Sequence, residues 1–495
     1  MAAEAVWRQK AMASDVNTPF NSVPLPGASQ SKTDEFNASG RQSRISMLAE
    51  GKLSDVKIGG YYEMDFLSSG TTSNNNQSNS YTLRQRQFWG QAAFNNGFTF
   101  TGGQVWSLVT ETAHGLDNRT ENLPLTIDAQ YEAGFSWARQ LGFRITKDFG
   151  NKVWLGMSVE EAQATLTTHG NPTVNNGGTT VCTNAACTTT AVINPTVNNN
   201  FLVGAFGTGG GLYNPLGNYQ FNPAPDLIFK AAFEPGFGHY EIFGLVSQFR
   251  DRVFPCVPNT GSTAPAGCPS ATSAAGAYND SRMGGGVGAN ARWALFSKKV
   301  DLGIHFLGGS GIGRYGSVGL PDATTRPDGT LALLRNYQAL GTLQLHPTPK
   351  LDIYFNVGGE YSSRGEYIKS GGTPNEGYGA LGFNNSGCWT ETLPVTSPST
   401  STNTGVPTGV GGSTGFIPGA LSNCTADTRN LIEGTLGFWY RFYNGPMGRV
   451  QWGIQYSNYI RNSWSGIGAA TAPGTSGQPS ADQNMVFTSF RYYLP

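Results

Sequence analysis

The chain has 495 residues, of which 67 are glycine, 13% are charged and 12% are aromatic, and its formal net charge is zero. A neutral chain lacks the basic field of a nucleic-acid-binding surface, and its charged fraction is about half the quarter usual in soluble domains, the difference being made up by glycine, amides, hydroxyls and tyrosine. No apolar run reaches the roughly 18 residues of a spanning helix, but a barrel strand needs only about ten alternating residues, so a membrane β-barrel passes this test.

At the N-terminus, MAAEAVWRQKAMASD has no basic start, apolar core and small-residue cleavage site, so no secretory signal is visible and an exported chain would begin upstream of Met1. Alternating segments are expected at 4–14, 41–52, 55–68, 80–94, 97–110, 131–147, 152–165 and 226–234. They continue at 237–251, 280–297, 299–309, 331–345, 350–362, 430–443, 447–461 and 484–495, sixteen in all. An even count places both termini on one side of a single-chain barrel.

Several segments show their two faces directly. In 61–66, Tyr62, Met64 and Phe66 oppose Tyr61, Glu63 and Asp65; in 436–442, Leu436, Phe438, Tyr440 and Phe442 oppose Trp439 and Arg441. In 450–461, Val450, Trp452, Ile454, Tyr456 and Ile460 oppose Arg449, Gln451, Gln455 and Arg461. Strand side chains point alternately to opposite faces, so each segment has one oily and one wet side. In the hairpin 81–110, strict alternation puts Arg84 and Arg86 in phase with Phe88, and Asn95-Asn96-Gly97 supplies the turn.

Connections alternate between short turns rich in Gly, Asn and Pro and long Thr/Asn/Gly/Ser-rich segments, notably 166–225 and 363–429. The expectation is an all-β protein: one sixteen-stranded antiparallel transmembrane β-barrel domain over 1–495, with short periplasmic turns and long exposed extracellular loops. The cysteines fall in three such loops, and the local pairs are Cys182 with Cys187, Cys256 with Cys268, and Cys388 with Cys424. With no Cys-x-x-Cys and five scattered histidines, no metal site is expected. No cofactor is expected either.

The order Arg41-Gln42-Ser43-Arg44, Glu63-Met64-Asp65-Phe66, Leu83-Arg84-Gln85-Arg86 and Gly103-Gln104-Val105-Trp106-Ser107-Leu108 resembles the bacterial outer-membrane porins, particularly the trimeric DcaP-like family, over nearly the whole chain. The resemblance implies a homotrimer of sixteen-stranded barrels in outer-membrane lipid and lipopolysaccharide, with the third extracellular loop, about 111–130, folded into each pore. Members often carry an N-terminal helical segment, and porins commonly end on phenylalanine. This chain starts near its first strand and ends Leu494-Pro495, so a terminal aromatic residue is expected to be missing.

A pore selects by charge on the inward phase. The expected lining residues are Arg44, Glu63, Asp65, Arg84, Arg86, Gln104 and Arg144; Glu111, His114, Asp117, Arg119 and Glu121 occupy the constriction loop. A basic wall facing acidic loop residues would favour small anions among the hydrophilic solutes that pass, unless each arginine merely closes a wall salt bridge with Glu63, Asp65 or Glu132. No nucleophile elbow, zinc-helix pair or phosphate loop occurs, so no enzyme is expected. The alternative function is a surface adhesin displaying long disulfide-stapled loops.

Overall fold

The computed structural model describes residues 1–12, 14–67, 81–162, 164–167, 200–202, 222–258, 263–369, 371–389, 391, 424–467 and 477–495, with strand backbone at 180–182 and 190–192. Its wall strands are β1 (Ala2–Arg8), β2 (Glu35–Ser39), β3 (Arg44–Leu53), β4 (Val56–Asp65), β5 (Arg84–Phe94) and β6 (Phe98–Trp106). They continue as β7 (Arg139–Phe149), β8 (Val153–Glu160), β9 (Asp226–Phe233), β10 (His239–Val253), β11 (Tyr278–Leu295) and β12 (Val300–Ser310). The last are β13 (Arg335–Thr348), β14 (Leu351–Ser362), β15 (Thr428–Gly445), β16 (Gly448–Ser463) and β17 (Ser480–Tyr493).

From β3 to β17 each strand pairs antiparallel with the next. Strand β17 pairs with β1, and β1 with β2. The two ends of this ladder, β2 and β3, are consecutive in the chain. The sheet is not closed by hydrogen bonds along Arg44–Leu53, whose only ladder partner among the described residues is β4. The sheet counts 18 strands, because the expected second segment is β3, β2 precedes it as a strand the sequence reading did not expect, and Phe201–Leu202 adds a short piece beside β10.

The burial pattern carries the expected alternation. Ile145, Phe229, Ile242, Ile304, Phe355, Leu436 and Phe490 are exposed on the outer face, while Arg144, Lys230, Glu241, His305, Asn356, Gln455 and Ser489 are buried on the inner one. Apolar outside and polar inside inverts a soluble fold and suits a wall between lipid and water. The turns close as their composition requires. Gly97 has φ +87°, and a Cβ there would stand 2.6 Å from the Asp148 carbonyl oxygen.

Three sequence expectations need correction. Segment 4–14 stops at Arg8, whose guanidinium donates to the carbonyls of Ser14 (2.8 Å), Asp15 (2.5 Å) and Asn17 (3.2 Å) and turns the chain into the lumen. Residues 131–138 are not strand: Tyr131 (φ +70°) and Gly134 (φ +85°) break the extended backbone. In the hairpin, a register irregularity opposite Glu63/Met64 places an extra residue in β5, so Arg84 and Arg86 face inward while Phe88 is 60% exposed on the outer face.

The loops also depart from expectation. Met12, Val16, Phe20, Val23 and Leu25, from the segment between β1 and β2, pack inside the barrel against Tyr459, Met485 and Phe487. Described parts of 363–429 do the same: Cys388, Cys424 and Ala426 join this cluster, and Tyr378 and Phe383 are buried. Cys256–Cys268 and Cys388–Cys424 are bonded as expected, but Cys388 and Cys424 are fully buried, not on the surface. The Cys182–Cys187 pairing and nearly all of 166–225 lie outside the described residues.

Candidate functional site in the lumen

Residues 107–138 leave β6, cross the barrel and return to β7, and wall carboxylates hold them there. On the outgoing limb, Thr112 donates to Glu241 through its amide (3.0 Å) and hydroxyl (2.7 Å), and the Gly115 amide donates to Glu234 (2.6 Å). Glu241 is buried with Lys230, whose Nζ is 2.6 Å away, and also meets His239 (3.1 Å) and Asn290 (2.7 Å). On the returning limb, the amides of Ala133 and Gly134 donate to Glu433 (2.9 Å) and Glu360 (3.1 Å). Gly134 is required here, since a Cβ would meet the Ala339 carbonyl oxygen at 2.0 Å. Amide–carboxylate bonds are charge-assisted, so the loop is positioned by its backbone and its side chains stay available to the lumen.

The expected lining residues separate into groups. Arg86 donates to Glu63 (2.6 Å), Asp65 (2.7 Å) and the Tyr131 hydroxyl (3.2 Å). Arg84 grips Asp65 with two bonds of 2.9 and 2.8 Å, and Arg44 lies 3.5 Å from Glu63. Three arginines thus share two carboxylates. Gln104 instead bridges the wall where the β5–β6 ladder stops, its amide donating to the Arg86 carbonyl (2.9 Å). Arg144 donates to the Trp106 carbonyl and to Asn118 (3.1 Å).

The loop acids are not aimed at Arg44, Arg84 and Arg86. Glu111 faces the opposite wall, 3.0 Å from His305 and 3.8 Å from Arg292. His114 and Asp117 pair with each other at 2.8 Å, and Arg119 lies over the Tyr61 ring at 5.1 Å. Glu121 lies within electrostatic reach of Arg144; burial raises its pKa.

Two cavities lie on either side of residues 128–131. One of about 650 Å³ is lined by Arg84, Gln104, Arg139 and Arg314 with Asn17 to Ser22. The other, about 270 Å³, is lined by Arg44, Arg86, Arg441, Arg449 and Arg491 and by the carboxylates Asp65, Asp128 and Asp352. Behind its arginines stand Glu4, 2.6 Å from Arg491, and Glu63, so the guanidinium groups are nearer the cavity than two of the charges that balance them. Arg449 makes no ion pair among the described residues and stacks over Tyr493 at 4.1 Å. A third cavity, about 320 Å³, contains Lys57, Arg119 and Arg144 with Glu50 and Asp117.

Asp128 lines the 270 Å³ cavity and accepts from the Thr18 hydroxyl, the Thr18 amide (3.2 Å) and the Gln130 amide (2.8 Å). Burial pushes its pKa up to about 6 despite these bonds. Sequence reasoning recognised Arg441 and Arg449 as inward but did not bring them to the site, and it missed Arg491. Their strands are last in the chain, and the β17–β1–β2 pairings bring them beside β3.

Apolar exterior, charged lumen and inward loop define a membrane-spanning β-barrel. The chain matches the crystal structure of the outer membrane channel DcaP of Acinetobacter baumannii with a TM-score of 0.58 at 14% identity, covering 99% of this chain and 94% of that one. Looser matches are the anion-selective porin from Comamonas acidovorans (TM-score 0.44, 9% identity, 99% and 97% covered) and the trimer form of OmpT, an outer membrane protein of Vibrio cholerae (0.42, 8%, 100% and 97%). No family description and no curated protein sequence matches the chain.

Proposed function

We propose that this protein is a porin of the outer membrane, a water-filled channel through which small hydrophilic solutes diffuse, with a preference for anions. The observation that carries the reading is the 270 Å³ cavity, where five arginines meet three carboxylates and the balancing Glu4 and Glu63 stand further back. In a narrow lumen partly shielded from bulk water, the nearer charge dominates the potential felt by a solute. Planar guanidinium forks suit carboxylate or phosphate oxygens.

The same reading takes β2 and β3 as one interrupted stave, giving sixteen, with the short turns periplasmic and the long loops extracellular. The outer face contacts lipid and lipopolysaccharide, and the barrels assemble as a homotrimer. Single-channel recording in planar bilayers under a KCl gradient tests the channel, its ion preference and its assembly in threes. Conductance steps in threes with an anion-selective reversal potential are expected. Silent bilayers would sink the channel and leave the adhesin reading, and a cation-selective potential would sink the anion preference.

A further inference from the structure

The returning limb of the loop carries a buried group that the pore reading does not use. Glu132 is fully buried, and neither carboxylate oxygen has a hydrogen-bond partner among the described residues. It faces Glu433, Thr435 and Asn356, with Asp128 further off. The donors nearest to it on the wall are the Thr435 hydroxyl and the Asn356 amide. Asn356 gives one of its two amide hydrogens to the Leu125 carbonyl (2.9 Å), and its Oδ1 is buried without a partner among the described residues. Glu433 takes the Ala133 amide at 2.9 Å and the Thr435 hydroxyl at 3.3 Å, and both residues are completely covered.

An isolated buried carboxylate costs many kcal/mol unless it is neutralised, and two side by side cost more. A proton on Glu132 would supply one donor against three orphan acceptor oxygens, whereas a cation satisfies them together. We propose that Glu132, Glu433 and Asn356, with the Thr435 hydroxyl, hold a divalent cation of the hard, oxygen-ligated kind such as Ca²⁺, which pins the returning limb to the wall. Oxygen donors with no nitrogen or sulfur match that ion, and two carboxylates match its charge. No trio of His, Cys, Asp or Glu among the described residues forms a metal centre, so the amide and hydroxyl complete this set. The proposal does not depend on which solute the channel passes.

The test is equilibrium dialysis of the full chain, refolded in detergent without lipopolysaccharide, against Ca²⁺ at neutral pH. One ion per chain is expected, with binding weakened tenfold or more in Glu132→Gln and strengthened in Asn356→Asp, which adds a charged ligand. Calcium should raise the melting temperature of the parent and of Asn356→Asp but not of Glu132→Gln. No bound ion in the parent, or equal uptake by the parent and Glu132→Gln, would overturn the site and leave a shared proton as the neutralising charge. Should Glu132→Gln fail to fold, Asn356→Asp decides alone: unchanged or weaker binding there overturns the proposal.

Discussion

Two stretches of the lumen wall use the same inward phase for opposite ends. On the far wall, β9 to β15 present Glu241, Glu360 and Glu433, and each is consumed by loop amides that hold residues 107–138 in place. On the near wall, β3 to β5 and β15 to β17 present arginines to an open cavity. Inward charge alone therefore does not define a selectivity site. What separates the walls is whether the partner is a buried amide or a water-filled space.

The largest effect is expected on the far wall. Glu241→Gln strands Lys230, buried 2.6 Å from the lost charge, and should lower stability by about 3–5 kcal/mol. Urea unfolding in micelles measures this. A loss under 1 kcal/mol would mean the far wall does not hold the loop electrostatically. Arg86→Gln belongs to the same class despite its place on the near wall, because it leaves Glu63 and Asp65 short of a buried partner.

The next effect concerns Asp128, where loop and near wall meet. Its folded pKa of about 6 lies above the ordinary 3.8, so the native state keeps a proton that the unfolded chain releases. That stabilisation is present below the unfolded value and is lost as pH rises through about 6, amounting to about 3 kcal/mol. The charge gained also makes the cavity less basic, so anion preference should fall over the same interval. Asp128→Asn should flatten both profiles; an unaltered pH profile would remove Asp128 from the cavity's charge balance.

A smaller effect separates arginines from one another. Arg449→Gln should move the reversal potential toward cations by a few-fold in permeability ratio while stability changes by less than about 0.5 kcal/mol. The shift should shrink between 0.1 M and 1 M salt as the Debye length falls from about 10 to about 3 Å. Arg84→Gln, held twice by Asp65 and lining the other cavity, should move it less. The reverse order would show that the larger cavity sets selectivity. The smallest effect is expected from Cys256→Ser/Cys268→Ser, whose staple closes a 12-residue separation outside the wall; conductance should stay unchanged, and a change would bring that loop into the pore.

Most of the wall was legible because alternation and turn chemistry are local, and β9, β10 and β16 fall within two residues of their expected limits. The arginine phase at Arg84 and Arg86 was also legible, but the bulge beside them was not, since an inserted residue leaves no mark on composition. The expected field from loop acids onto that wall failed for a different reason. Glu111 and Asp117 are close to β6 in the chain, yet the loop carries Glu111 across the lumen to His305 and turns Asp117 to His114. Met12 was read into the first strand, and the residues from Val16 to Leu25 gave no strand pattern because they meet the lumen as irregular chain broken by Pro19 and Pro24, so only closure of the wall reveals their burial.

That inner segment also sets an order of events. Met12, Val16 and Phe20 belong to the connection between β1 and β2, while Tyr459, Met485 and Phe487, against which they pack, belong to β16 and β17. Contacts separated by more than 400 residues are slow to form, because the loop entropy must be overcome before they repay it. The Gly27 amide waits equally for the Cys388 carbonyl, 2.8 Å away in the finished molecule. The lumen therefore cannot complete its native packing until the last two strands are in place.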